Sequence, residues 1–231
     1  MNKSTKWIVV GLVAVFIGLV VATQLLNQKN YTFSSYDTTT IISADDQSGG
    51  FEETISGDIN APAKLVVYTD YQCNNCASLV PDLNELIDEY DGKLAVIYRV
   101  MIMSYHQNGR AAAAAALAAA NQGYWEEFKE LLYDKQDDWA GSSAEKRQEQ
   151  FEEYFKKASK DKGDLEKFRA DMESDAVSKK IAFDDKLAEQ DKVQWTPYIM
   201  FDGELISQQE VKTRPELINK IREKVDAKLA K

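Results

Sequence analysis

Both cysteines of the chain, Cys73 and Cys76, fall in one stretch, DYQCNNCASL, residues 70–79. Thiols at this spacing can form half of a metal site, a structural disulfide, or a dithiol that exchanges electrons with other thiols. A structural zinc site takes four ligands, and this chain adds a single histidine, His106, to its two cysteines. A disulfide between neighbours so close in sequence constrains the unfolded chain little. It would be a poor sole staple for 231 residues. The redox reading remains the strongest, and it depends on the elements that position the pair.

Ahead of the cysteines, KLVVYTD is a compact apolar run that reads as a buried strand. After them, ASLVPDLNELIDEY sets Leu79, Leu83, Leu86 and Ile87 at helical spacing, with Pro81 predicting a kink. KLAVIYRVMIM, residues 93–103, is nearly continuous in apolar character and reads as a strand buried on both faces. Strand, helix, strand is the βαβ unit of a parallel sheet. Cys73 then falls at the strand-to-helix turn and Cys76 one helical turn in, on the same face, at a spacing a disulfide bridges. Free amides and the dipole at a helix N-terminus favour an anion, so the Cys73 thiolate is expected to be stabilised. Cys76, more deeply placed, suits attack on a mixed disulfide.

Downstream, GRAAAAAALAAANQGYWEEFKELLYDKQ has high helix propensity, with a break at Gly123. Its alanine tract reads as a closely packed helix. A further helix opens at Ser143, and residues 164–190 hold one or two more, their charge runs forming solvated faces. PYIMF and ELI flank Asp202-Gly203, a hairpin signal. TRPELINKIREKVDAKL closes the sequence as a helix, with Thr213 as its cap and Pro215 in its first turn. His106 reads as a capping or surface residue at the start of the helical region.

The N-terminal run WIVVGLVAVFIGLVVATQLL, residues 7–26, carries no charge, and 13 of its 20 residues are Val, Ile, Leu or Phe. As a helix it spans roughly 30 Å, the thickness of a bilayer core. Lys3 and Lys6 precede it and Lys29 follows, a bias that puts the N-terminus in the cytoplasm. The run is longer than a usual signal-peptide core and continues past the small-residue site near Ala22, which favours an uncleaved anchor. Residues 1–26 are thus expected to be a cytoplasmic tip and membrane anchor, and residues 27–57, rich in Ser, Thr, Asn, Asp and Gly, an extracytoplasmic tether. Within that tether TTTIIS is compatible with a short strand. Export places the cysteines where disulfides persist. The formal net charge of -10 lacks the basic footprint that nucleic-acid binding needs.

Taken together, these motifs resemble the DsbA-like branch of the thioredoxin superfamily, membrane-anchored thiol–disulfide oxidoreductases. LVVYTDYQCNNC is similar to that branch's strand leading into its C-x-x-C, the alanine-rich and aromatic-acidic helices to the start of its helical domain, and WTPYIMFDGE to its cis-proline strand. The resemblance covers roughly residues 58–231. It implies a thioredoxin-like α/β fold with a helical domain inserted at about 105–191, between the strand after the C-x-x-C helix and the cis-proline strand. It implies Cys73 as nucleophile and Cys76 as resolving thiol. Pro197 would be the cis-proline facing the disulfide, and the backbone of Thr196 would pair with an extended client segment. Taken alone, Pro197 reads as an ordinary trans residue opening a strand.

The resemblance further implies an enzyme that forms disulfides in cysteine-containing exported proteins and is re-oxidised by a quinone-linked membrane partner. Its redox centre would be the Cys73–Cys76 disulfide, with no other cofactor and no metal. A reductase or isomerase is the nearest rival; a non-catalytic holdase for exported clients is the rival of another class. The chain departs from the family in three ways. Asn74 and Asn75 stand between the cysteines, no cation adjoins Cys73, and Val67 occupies the position, six residues before Cys73, where many relatives carry a buried acid. These differences predict a Cys73 thiol that is acidified, with the asparagine amides as donors, but less than in the strongest oxidants.

Overall fold

The computed structural model describes residue 33, residues 35–206 and residues 212–231. The proposed membrane run, residues 7–26, lies outside the described residues; no helix among those described is long and apolar enough to cross a membrane. The compact unit that holds the cysteines begins at Ser35.

Its centre is a five-stranded mixed sheet of order β1-β3-β2-β4-β5. Strand β2 (Ala63–Thr69) leads through helix α1 (Asn74–Glu89) to β3 (Leu94–Val100), which pairs with it in parallel. Every residue of β3 is buried, which explains its continuous apolar sequence. Helix α1 runs unbroken through Pro81 and buries Cys76, Leu79, Val80, Leu83 and Leu86. Strands β4 (Tyr198–Phe201) and β5 (Glu204–Leu205) form the expected hairpin. Asp202 and Gly203 take the two positive φ values, 49° and 81°, that such a turn requires.

Between β3 and β4 the chain builds the helical block: α2 (Gly109–Ala120), α3 (Trp125–Asp134), the short α4 (Gln136–Trp139), α5 (Ala144–Ser159), α6 (Leu165–Met172) and α7 (Asp175–Gln190). The alanine tract becomes α2, buried along nearly its whole length and packed against α3, α6 and α7. Methyl side chains let these neighbours approach closely. Ser143 and Thr213 cap α5 and the last helix, α8 (Arg214–Leu229), each accepting from the amide three residues on.

The tether expectation fails for residues 35–57. Strand β1 (Thr54–Gly57) pairs antiparallel with β3, and Thr38, Ile42, Ser48, Phe51 and Glu53 are buried. The TTTIIS stretch is not a strand: Arg99 Nη1 and Nη2 donate to the carbonyls of Thr38 and Thr40 at 2.8 and 3.0 Å, taking acceptors a ladder would use. Thr38 Oγ1 donates to Asp191 at 2.7 Å, and Gln190 exchanges hydrogen bonds with the Tyr36 backbone. The polar residues that made this stretch look like a linker are its attachment points.

Arg99 is fully buried with Glu53 at 3.2 Å, and Lys180 with Asp184 at 2.7 Å. Removing one member of such a pair strands the other in a low-dielectric interior. Arg99→Met is therefore expected to cost about 3–5 kcal/mol in denaturant unfolding, and Arg99→Met with Glu53→Gln less than Arg99→Met alone. A double variant less stable than the single one would contradict this.

Candidate active site

The β2–β4 register pairs Tyr68 with Tyr198. It therefore brings Thr196 and Pro197, which precede β4, beside the loop that follows β2. That loop is 70–73, and Cys73 ends it as the N-cap of α1. Cys73 Sγ donates to the Thr196 carbonyl at 3.4 Å, and the Thr196–Pro197 peptide bond is cis. The four residues expected at the site thus meet there. Cys73 and Cys76 are free thiols, 8% and 2% exposed. Pro197 lines a groove of ≈ 480 Å³ with Asn75, Leu79, Lys212 and Leu217.

The environment splits the two thiols. Cys73 is pushed down from its ordinary value to about 5. The hydrogen bond from Cys76 contributes most, burial opposes it, and the Thr196 side chain and the backbone amides of Cys76 and Asn75 add to it. These amides are the donors left free at the start of α1. Burial pushes Cys76 well above its ordinary value, and the neighbouring Cys73 sulfur adds to that. The downward direction is the one expected from the sequence. The source differs in part, since both asparagine side chains are exposed and Asn75 contributes its backbone amide.

The Thr196 hydroxyl is buried and finds no partner while Cys73 is a thiol. A thiolate supplies the acceptor, so the hydroxyl favours the charged form. A hydrogen bond to a charged group contributes about 1.5–3 kcal/mol, and one pKa unit is about 1.4 kcal/mol. Thr196→Val is therefore expected to raise the midpoint of Cys73 alkylation by about one pH unit, read by iodoacetamide labelling across pH. An unchanged midpoint would remove the hydroxyl from this account.

Around the pair, Asp70 is fully buried. Its backbone carbonyl accepts from Cys73 N at 2.9 Å. Its carboxylate accepts from the amides of Gln72 and Met103 at 2.9 and 2.8 Å, and meets His106 Nδ1 at 2.8 Å. His106, expected as a cap or surface residue, instead pins the loop after β3 to the turn that carries Cys73. Gln72 fixes the other side: its Oε1 accepts from Asn108 N at 2.7 Å and its Nε2 donates to Ala140 O at 3.0 Å. Val67 is buried in β2 as an apolar residue. Sequence reading missed Asp70, Gln72 and Asn108 because the contacts that tie them into the site, Asp70 with Met103, Gln72 with Asn108 and Asn108 with Ala140, join residues more than 30 positions apart. The DYQ before the first cysteine was the only local hint. No cluster of three or more metal-binding side chains occurs among the described residues.

Comparison with known proteins fits this geometry. A family model described as thioredoxin matches residues 51–220. Among solved structures, the chain is similar to oxidised BdbD from Bacillus subtilis, at 18% identity and TM-score 0.62, covering 81% of this chain and 98% of that one. It is also similar to alpha-DsbA1 from Wolbachia pipientis, at 21% identity and TM-score 0.58, covering 77% and 93%. A thioredoxin-like oxidoreductase from Silicibacter pomeroyi gives 22% identity and TM-score 0.56, covering 77% and 97%. At these identities the likeness is one of fold. A curated relative, the Na(+)/H(+) antiporter NhaA 3 of Salinispora tropica, is 28% identical over 149 residues. That match takes in 64% of this chain, which spans about a fifth (21%) of the antiporter's length.

Proposed function

The chain belongs to the thioredoxin family, and from that premise we propose that it is a thiol–disulfide oxidoreductase that forms disulfides in exported proteins. The observation that carries this reading is the pair of free thiols at the head of α1, Cys73 at its N-cap with Sγ 3.4 Å from the Thr196 carbonyl and Cys76 buried one turn in; the same setting lowers Cys73 and raises Cys76. A stabilised Cys73 thiolate favours the reduced enzyme and so makes its disulfide a stronger oxidant. A client thiolate attacks Cys73, the more exposed sulfur, and Cys76 leaves. A second client thiol then attacks the mixed disulfide and releases the oxidised client with the reduced pair. The groove beside Pro197 would seat the client segment against Thr196.

The uncharged run at residues 7–26 supports a single-pass membrane tether with the catalytic unit outside the cytoplasm. A quinone-linked membrane partner would re-oxidise the pair, and the cysteines themselves would be the only redox group. The test is the redox state of Cys73 and Cys76 in growing cells, trapped by acid and read by thiol labelling. A predominantly disulfide-bonded pair is expected. A predominantly reduced pair would make the protein a reductase or isomerase. Full function after replacing both cysteines would make it a holdase.

A further inference from the structure

Cys76 has a proton to move and little access to water, being 2% exposed. In the proposed cycle it takes up a proton when a client opens the disulfide and gives one up when the disulfide re-forms. Val67 stands where a buried acid could have served. Asp70 is the buried carboxylate of the turn before the pair, but its oxygens are held by Gln72, Met103 and His106. Besides Cys73, the other side chain that acts on the Cys76 sulfur is Thr69, whose neighbouring hydroxyl draws the thiol downward. Thr69 Oγ1 lies 2.7 Å from Tyr133 Oη. Both residues are buried, and Tyr133 lines a cleft of ≈ 530 Å³ together with Glu130, Asp134 and Asp137.

We propose that Thr69 and Tyr133 form a hydroxyl relay that carries the proton between Cys76 and this cleft. The inference rests on the thiol–disulfide reading above. Thr69, which touches the reacting sulfur, is the catalytic member; Tyr133 acts through it as a positioning residue.

During re-oxidation the Cys73 thiolate attacks the disulfide of a redox partner. A Cys73–partner S–S bond forms, and the partner's other sulfur leaves as a thiolate. Cys76 Sγ then attacks Cys73 Sγ. As it does so, its proton passes to Thr69 Oγ1, the Thr69 proton passes to Tyr133 Oη, and the Tyr133 proton leaves to the cleft. The Cys73–Cys76 bond forms, the Cys73–partner bond breaks, and the partner departs with its second sulfur reduced. Two electrons have moved from the cysteine pair to the partner. When a client opens the disulfide the shift runs in reverse and protonates Cys76. Burial holds the Tyr133 hydroxyl well above its ordinary value, which the relay tolerates because each hydroxyl gives one proton as it accepts another.

The test uses the reduced full-length protein in detergent with oxidised glutathione as the disulfide. Acid quench and mass spectrometry follow the Cys73–glutathione adduct and its resolution by Cys76. Positioned proton transfer contributes about 10²–10⁴-fold, so Thr69→Val and Tyr133→Phe are each expected to slow resolution by at least about tenfold. Combining them should add at most about twofold, because they interrupt one chain. Thr69→Ser, which keeps the hydroxyl, should stay within about threefold of the parent rate, and the Cys73 alkylation midpoint should not move in any of them. Folded Thr69→Val and Tyr133→Phe proteins that resolve within twofold of the parent would overturn the relay, as would a slow Thr69→Ser. If Thr69→Val does not fold, Tyr133→Phe and Thr69→Ser decide. Failure of the parent protein to form the adduct would instead count against the thiol–disulfide reading itself.

Discussion

Cys76→Ala is expected to accumulate client proteins disulfide-linked to Cys73, visible as high-mass species on non-reducing gels that collapse on reduction. In this variant the Cys73 thiolate attacks a client disulfide, one client sulfur leaves as a thiolate, and no Cys76 remains to attack Cys73 and displace the other. Cys73→Ala should accumulate none, because Cys76 is the more deeply buried sulfur and stays protonated, its thiol raised well above the ordinary value. Disulfide formation in a reduced test protein should fall on the order of 10³-fold or more in Cys73→Ala, the scale of losing a covalent nucleophile. Comparable trapping by the two variants would mean that the sulfurs are not differentiated as the structure has them.

The second large effect is on pH dependence. An anionic group whose value is depressed in the folded state adds stability that is complete above its unfolded value and is lost as pH falls through its folded value. For Cys73 that window runs from about 8.5 down to about 5. The reduced protein should therefore gain stability relative to the oxidised one as pH rises through that range, and lose the advantage below it. The reduction potential should show the same break. Between pH 6 and 8 the reduced pair holds one proton, on Cys76, so the potential should fall by about 30 mV per pH unit. Below pH 5 it holds two, and the slope should approach about 60 mV per unit. Equilibration with glutathione buffers measures this; a uniform steep slope through pH 7 would show that Cys73 is a thiol there.

Both expectations depend on features that the sequence exposes unevenly. The helix start that acidifies Cys73 was legible, because an apolar run, two cysteines and leucines at helical spacing specify strand, turn and helix locally. So were the Asp202-Gly203 hairpin and the Ser143 and Thr213 caps, which are encoded within a few residues. Residues 35–57 were misread because a linker and a hydrogen-bonded clasp share a polar composition. What distinguishes them is Arg99, some 60 positions away, whose guanidinium takes the Thr38 and Thr40 carbonyls. The same limit hid His106 against Asp70 and Tyr133 against Thr69, pairs separated by 36 and 64 positions. Such contacts follow from how the helical block settles on the sheet, and a single sequence carries no local signal for that. The asparagine dipeptide is the intermediate case. Its position predicted donors for the thiolate, but the backbone of Asn75 supplies the bond while the side chains face solvent.

The central claim, that Cys73 is an acidified nucleophile at the head of α1, is tested most directly by the pH dependence of its alkylation in the reduced protein. Iodoacetamide labelling of Cys73, resolved from Cys76 by peptide mass spectrometry, should follow a single titration with its midpoint at about 5. A midpoint at or above about 8.5, that of an ordinary cysteine, would contradict it.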